Sequence, residues 1–437
     1  MKRRILSLIA AGVLLAGTAN AMSYEEERVI ARDFLALLDA NNLIVYDAEI
    51  TRPVEMITER LSEHIKSPVY DFKVHVVRDR SVNAFTTPDG HIFVNLGLLL
   101  FVRDMDEVAA VISHEMGHAQ LRHIPENFDT QKTLNAATIL GVLAGTLLSA
   151  KNPEAGAAMV FSSLGGTENI RLAYSRLNEF SADEYGKSLL QETAINPSAM
   201  PRFLIRLNTF SSTSGIPEYL LTHPFTENRV VNMRMDPGRP APDASYWTLS
   251  ACIAGLILPA GEADMRAASM PEPYRTLAMG LSRTRSGNHV QAIALLDKVD
   301  MGIAHAYRGV NLAALGRKDE AYILLKDHAT SARTRTALAE ILAEKGLVDE
   351  AIATLLPYLG QNPRGDYTMG ILYERAQKPA WSHAAFARYF FKTENYKASL
   401  HHIDAALKDK GALPQEQTDE LTAMKDMIGK SQAGRRQ

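Results

Sequence analysis

Three histidines and a glutamate fall within ten residues, His114-Glu115-Met116-Gly117-His118-Ala119-Gln120-Leu121-Arg122-His123. On an α-helix, residues four apart share a face, so His114 and His118 would present two imidazole nitrogens to one ion while Glu115 flanks that face. The spacing suits zinc, one ion per chain. A catalytic zinc site usually takes three protein ligands and leaves a fourth position for water, which becomes acidic enough to yield a nucleophile near neutral pH. The third ligand is expected from Asn178-Glu179-Phe180-Ser181-Ala182-Asp183, on a second helical stretch, where Glu179 completes a His2Glu set. Asp183, four residues on, is placed to accept a hydrogen bond from the far nitrogen of a ligating histidine and fix its tautomer. Small Gly117 and Ala182 keep the facing surfaces close. Glu115, outside the ligand set, is then free to act as general base on the water and to pass the proton to the leaving amine. His123 lies five residues beyond His118, off the face, and reads as a helix-end residue.

The elements that would carry these residues are legible nearby. Asp104-Met105-Asp106-Glu107 sets an N-cap aspartate three residues before a glutamate, the capping-box spacing, ahead of the apolar face Val108, Val111 and Ile112, and Pro125 follows the far end. A well-punctuated helix therefore carries the motif. Upstream, Phe72, Val74 and Val76 alternate with Lys73 and His75, and His91-Ile92-Phe93-Val94 follows Asn83-Ala84-Phe85 across the turn signal Pro88-Asp89-Gly90. These runs predict strands of a small antiparallel sheet. Asn83, Ala84 and Phe85 stand just before the active helix, so a peptide substrate is expected to add there as a further strand, recognised through its main chain.

Between the two ligand-bearing stretches, residues 134–150 and 157–164 are apolar, with Gly141 and Gly145 spaced as G-x-x-x-G and Lys151-Asn152-Pro153 between the two pieces. They are short and mild for a membrane span. The expectation is a helical hairpin over or beside the cleft, with peripheral membrane contact as the other use of that surface.

Farther on the pattern changes. Gly287, Gly316 and Gly346 each precede, by five residues, Ala292, Ala321 and Ala351 at the start of leucine-rich runs. This predicts short helices stacked in pairs, like tetratricopeptide repeats, though the spacing is nearer thirty than the usual ~34 residues. The fold class expected is α+β and predominantly helical: a zincin-type metallopeptidase domain over 22–245, a connector over 246–272 that sequence leaves unresolved, and helical repeats over 273–430, with a separate core in each domain.

Residues 1–21 read as a leader, with basic Lys2-Arg3-Arg4, an apolar run and Thr18-Ala19-Asn20-Ala21 before the cut. With no cysteine at that cut, a soluble periplasmic protein is expected. Cys252 is the single cysteine, so no intrachain disulfide forms, and 47 basic against 50 acidic residues argues against a nucleic-acid partner.

HEMGHAQLRH, NEFSAD, Thr222-His223-Pro224 followed by Arg229, and NAFTTPDGHIFVNLGLL together resemble the zinc metallopeptidase family of the CAAX prenyl protease, HtpX and the mitochondrial OMA-type proteases. The leader and helical repeats make the chain most similar to the periplasmic β-barrel assembly-enhancing branch of that family. The resemblance spans roughly residues 50–234. It implies zinc on His114, His118 and Glu179, catalysis by Glu115, a carbonyl-polarising or oxyanion-stabilising role for His223, and support of the site by Arg229. The function expected is a periplasmic zinc endopeptidase acting on misfolded or misassembled envelope proteins, with repeats that bind clients or the outer-membrane assembly machinery. A repeat-based chaperone or adaptor with little proteolysis, and a maturation protease for one defined substrate, are the alternatives.

Overall fold

A computed structural model of the chain describes residues 22–125, 176–214, 217–233, 243–408 and 411–434. The leader and the apolar hairpin expected over 134–164 lie outside the described residues.

The first elements are α1 (Tyr24–Ala40), α2 (Ala48–Ser62), β1 (Lys73–Val77), β2 (Ala84–Thr86), β3 (His91–Asn95), α3 (Leu96–Phe101) and α4 (Met105–Gln120). β2 and β3 form the expected antiparallel hairpin, turning where Gly90 takes φ 87°. β1 differs: it runs parallel to β3, in register from Lys73 opposite His91 to Val77 opposite Asn95, so the sheet is mixed, in the order β1-β3-β2. Alternation specifies which residues face inward but not strand direction, and the connection over 78–83 carries the chain past the place that β3 later fills. The outer side of β1 is partly closed by the chain before α2, with Val45 N donating to Val76 O and Arg78 N to Leu43 O.

α4 starts where the sequence places it, with Asp104 Oδ1 accepting from Glu107 N at 2.9 Å. Only half of the capping box forms. The Glu107 carboxylate instead accepts from Arg103 N at 2.9 Å and from Arg206 Nη1 at 2.8 Å. Thus α4 is tied to the helix that carries Arg206, and every residue from Val108 to Ala119 is buried.

Four more helices follow, of which the first two pack on α4: α5 (Arg176–Glu192), α6 (Ala199–Ser214), α7 (Glu218–Thr222) and α8 (Glu227–Met233). α4 and α5 approach at small residues. A Cβ on Gly117 would stand 2.9 Å from Ala182 O, and one on Gly186 would stand 3.1 Å from Ser113 Oγ.

The stretch left unresolved in the sequence is helical: α9 (Ala244–Leu256), capped by Asp243 Oδ1, and α10 (Ala260–Ala268). Helical pairs follow: α11 (Tyr274–Arg285) with α12 (His289–Leu296), α13 (Gly302–Ala314) with α14 (Lys318–His328), α15 (Ala332–Glu344) with α16 (Val348–Leu355), α17 (Pro363–Arg375) with α18 (Pro379–Lys392), and α19 (Tyr396–Leu407) with α20 (Gln415–Gly434). Gly287, Gly316 and Gly346 turn the first three pairs in left-handed conformations, with φ of 74°, 80° and 83°. Gln377 takes the same conformation between α17 and α18, at φ 57°.

Packing does not break near residue 245. One buried apolar cluster runs from Val45 through α4, α6 and α9 to Tyr307 on α13. Among the described residues no helix is long and apolar enough to cross a membrane.

Candidate metal centre

Elements distant in sequence deliver the expected residues to one buried point. α4 supplies His114 and His118, α5 supplies Glu179, and His223 caps the C-terminus of α7; all four are at most 2% exposed. One donor atom from each lies within 4.8 Å of the others. His114 Nε2 is 3.0 Å from His118 Nε2 and 3.3 Å from His223 Nδ1. Glu179 Oε1 is 3.2 Å from His118 Nε2 and 3.0 Å from His223 Nδ1. Ligands about 2.0–2.1 Å from a tetrahedral zinc stand about 3.3 Å apart, so the set has the dimensions of a zinc cage.

The proton count points the same way. Ser181 Oγ donates to Leu177 O at 3.0 Å, so toward His123 Nε2, at 3.1 Å, it is an acceptor. His123 then carries its proton on Nε2 and accepts at Nδ1 from His118 Nδ1, 2.9 Å away. His114 Nδ1 likewise faces a carboxylate, 2.9 Å from Asp183 Oδ1. His118 Nε2 is thereby left as a lone pair, 3.0 Å from His114 Nε2 and beside a carboxylate; burial opposes a charge on His114, but hydrogen bonds to Asp183 and Glu179 hold its imidazole up at about 9. Two imidazole nitrogens and a carboxylate meeting so closely need a cation among them, a proton on His114 or a metal in its place. The residues fit a metal.

Arg229, on α8, braces the set. Its Nε and Nη2 donate to Asp183 at 2.7 and 2.8 Å, and its Nη1 lies 2.7 Å from Glu179 Oε2. Burial pushes the Asp183 and Glu179 carboxyls up, but the opposing effects win. Hydrogen bonds from Arg229 and His114 hold Asp183 below its usual range, and His223, His114 and His118 hold Glu179 far below. Both remain anions.

Glu115 is also fully buried, but among the described residues neither oxygen has a hydrogen-bond partner; His223 Nε2 is 3.4 Å from Oε1. Burial raises its proton affinity, against the smaller pull of His223 and His114. A carboxylate so placed is poised to take a proton.

His223 is itself tied to the sheet. His223 N donates to Tyr219 O at 2.8 Å, and Tyr219 N donates to Val82 O, one residue before Asn83. The Tyr219 ring stacks on the imidazole at 4.5 Å. Of the three residues expected to meet substrate, Ala84 and Phe85 sit on β2, the edge strand that packs on α4, and Asn83 O accepts from Asn95 N just before it. Phe85 stacks on Phe93.

Sequence reasoning missed Tyr219 and set His123 aside. Nothing in the spacing marks Tyr219. His123 was open to notice only by joining it to Ser181, which lies inside NEFSAD but between the two carboxylates that drew attention.

Compared with known proteins, residues 49–235 match peptidase family M48. The M48 segment contains every donor of the buried cluster, together with Glu115, Asp183 and Arg229. A β-barrel assembly-enhancing protease of Yersinia pestis is 30% identical over 227 residues, 51% of this chain and 47% of the relative. Its counterpart in Escherichia coli is 28% identical over 216 residues, 49% of this chain and 44% of the relative. The metalloprotease LoiP of Escherichia coli is 30% identical over 156 residues, 35% of this chain and 58% of the relative. The chain thus spans about half the length of the assembly-enhancing relatives it matches.

Proposed function

We propose that this chain is a zinc-dependent endopeptidase that cuts unfolded or misassembled proteins of the bacterial envelope, in the periplasm to which a leader over residues 1–21 would direct it. The observation that carries the reading is the buried meeting of two imidazole Nε2 atoms with a carboxylate, with Glu115 alongside. The names of the M48 relatives support the substrate class.

His114, His118 and Glu179 hold the metal. Zinc in that set supplies Lewis acidity, lowering the pKa of water and polarising the scissile carbonyl. Glu115 takes the proton of the attacking water and returns it to the departing amine, a transfer that its burial favours. Asp183 and the His123–Ser181 pair hold the two imidazole tautomers, and Arg229 fixes Asp183 and Glu179 as anions. His223 has two stations. With Nδ1 3.0 Å from Glu179 Oε1 it would offer a fourth donor to the metal in place of water; turned to the substrate, it would stabilise the oxyanion. Asn83, Ala84 and Phe85 offer an edge for an extended substrate, and the helical pairs, tetratricopeptide-like in their turns, bind clients or the outer-membrane assembly machinery.

Digestion of a reduced, carboxymethylated protein tests the reading. Stripping the metal with a chelator abolishes cleavage and one equivalent of zinc per chain restores it. Cleavage that survives complete stripping would end the proposal.

A further inference from the structure

The seam between α1–β1 and the helical pairs holds connected cavities on the side of the sheet away from β2. One, of about 910 Å³, lies along β1 and α2 and is bounded across the seam by Ile303, Thr330 and Tyr358. It shares Ile44, Tyr46 and Gln361 with a neighbour of about 330 Å³, which is lined by Arg78, Arg333 and Lys392.

The smaller cavity has unspent donors. Among the described residues Arg333 Nε is buried without a partner, while its Nη2 stands 3.6 Å from Asp47 Oδ1. Ala332 and Arg333, in the first turn of α15, line the same wall. A guanidinium offers five N–H donors in a fork that matches a carboxylate. The balancing anions are Asp39, which accepts from Tyr46 Oη at 2.8 Å and stands 3.9 Å from Lys392 Nζ, and Asp47. Asp366 also faces Lys392, whose Nζ already donates to Gly360 O, and Glu49 faces Arg333, so the match rests on the open guanidinium donors, which suit the two oxygens of one carboxylate, rather than on net charge.

The larger groove presents an open strand edge. Val76 O is taken by Val45 on the side away from β3, and two residues earlier Val74 turns its N–H and C=O to that same side. No segment among the described residues bonds to Val74 there. An extended chain laid on this edge gains main-chain bonds whatever its sequence, and the one carboxylate that every chain carries is at its end.

We propose that this seam is a second binding site, apart from the zinc cleft, that takes the C-terminal end of an extended, apolar protein segment. The segment lies along β1 and its α-carboxylate is held by Arg78, Arg333 and Lys392. The inference does not rest on turnover, so its failure and that of the proteolytic reading are separable.

The test is fluorescence anisotropy on the full chain carrying Glu115→Gln, which keeps the probe intact. The probe is a labelled eight-residue peptide of alternating apolar and polar residues with a free C-terminus. Expected are saturable binding, at least tenfold weaker binding of the C-terminal amide, and a several-fold loss in Arg78→Gln. That residue is exposed, so the change leaves the fold intact. Arg333→Gln should lose more. Equal binding of acid and amide, or an unchanged affinity in Arg78→Gln, would overturn the proposal. So would an amidated peptide with an internal aspartate that binds as well as the free acid, or inorganic phosphate that displaces the peptide at matching concentrations.

Discussion

At the scale of single residues, the site rests on proton bookkeeping as much as on ligand identity. His118 offers its Nε2 lone pair because Nδ1 is engaged by His123, and His123 is oriented by Ser181. Removing an outer partner of a metal-bound histidine usually weakens metal binding about 10–100-fold. His123→Ala should therefore reduce zinc affinity within that range, measured by competition with a chelating dye, while Glu179→Gln reduces it further because the only anionic ligand is lost. An affinity unchanged in His123→Ala would dissolve the relay. The two histidines, Glu115, Glu179 and Asp183 were legible because helical spacing is a direct consequence of 3.6 residues per turn. Tyr219 was not legible: its partner His223 depends on the turn at the end of α7, which no periodicity encodes.

At the scale of elements, the α4–α5 crossing sets the ligand separation. Gly117 is pressed against the Ala182 backbone, with 2.9 Å between a notional Cβ and the carbonyl oxygen. Gly117→Val must part the helices, at an overpacking cost of about 1–3 kcal/mol, and should draw Glu179 away from His118. Lower thermal stability together with weaker zinc retention is the expected result; full zinc affinity in a destabilised variant would uncouple the crossing from the site. The capped start of α4 and the β2–β3 hairpin follow from local chemistry, and the sequence shows both. The parallel partner β1 is set by a long-range choice between chain paths, so alternation alone misassigned it. Likewise the turn into α18 was hidden because Gln377, not glycine, adopts its left-handed conformation.

At the scale of the whole molecule, the M48 segment and the first helical pairs share a core. Leu249, Cys252, Ile253 and Leu256 of α9 are all buried. Burial of each such side chain contributes roughly 1.5–3 kcal/mol, so the four together approach the ~5–15 kcal/mol stability of a typical domain. A fragment ending at residue 245 should thus fail to give a cooperative melt by circular dichroism. A clean melt would favour the two-core division that the sequence suggests. The far pairs predict a pH effect. Burial pushes the Asp366 carboxyl up to about 6, although Oδ1 accepts from Gly360 N at 2.7 Å. The unfolded chain loses that proton near pH 4 and the folded chain near 6, so this group's contribution to stability falls as pH rises between them and is flat above. Asp366→Asn keeps the acceptor, and should stabilise the protein by at most about 3 kcal/mol at pH 7.5 and by little at pH 4. A gain equal at both pH values would contradict the assignment. The central claim, that His114, His118 and Glu179 hold zinc while Glu115 moves the proton, is met most directly by zinc content and unfolded-protein cleavage measured side by side on the unaltered protein and Glu115→Gln. The expected result is one zinc per chain in both and cleavage only in the first; zinc lost from the variant, or cleavage at an unchanged rate, would contradict it.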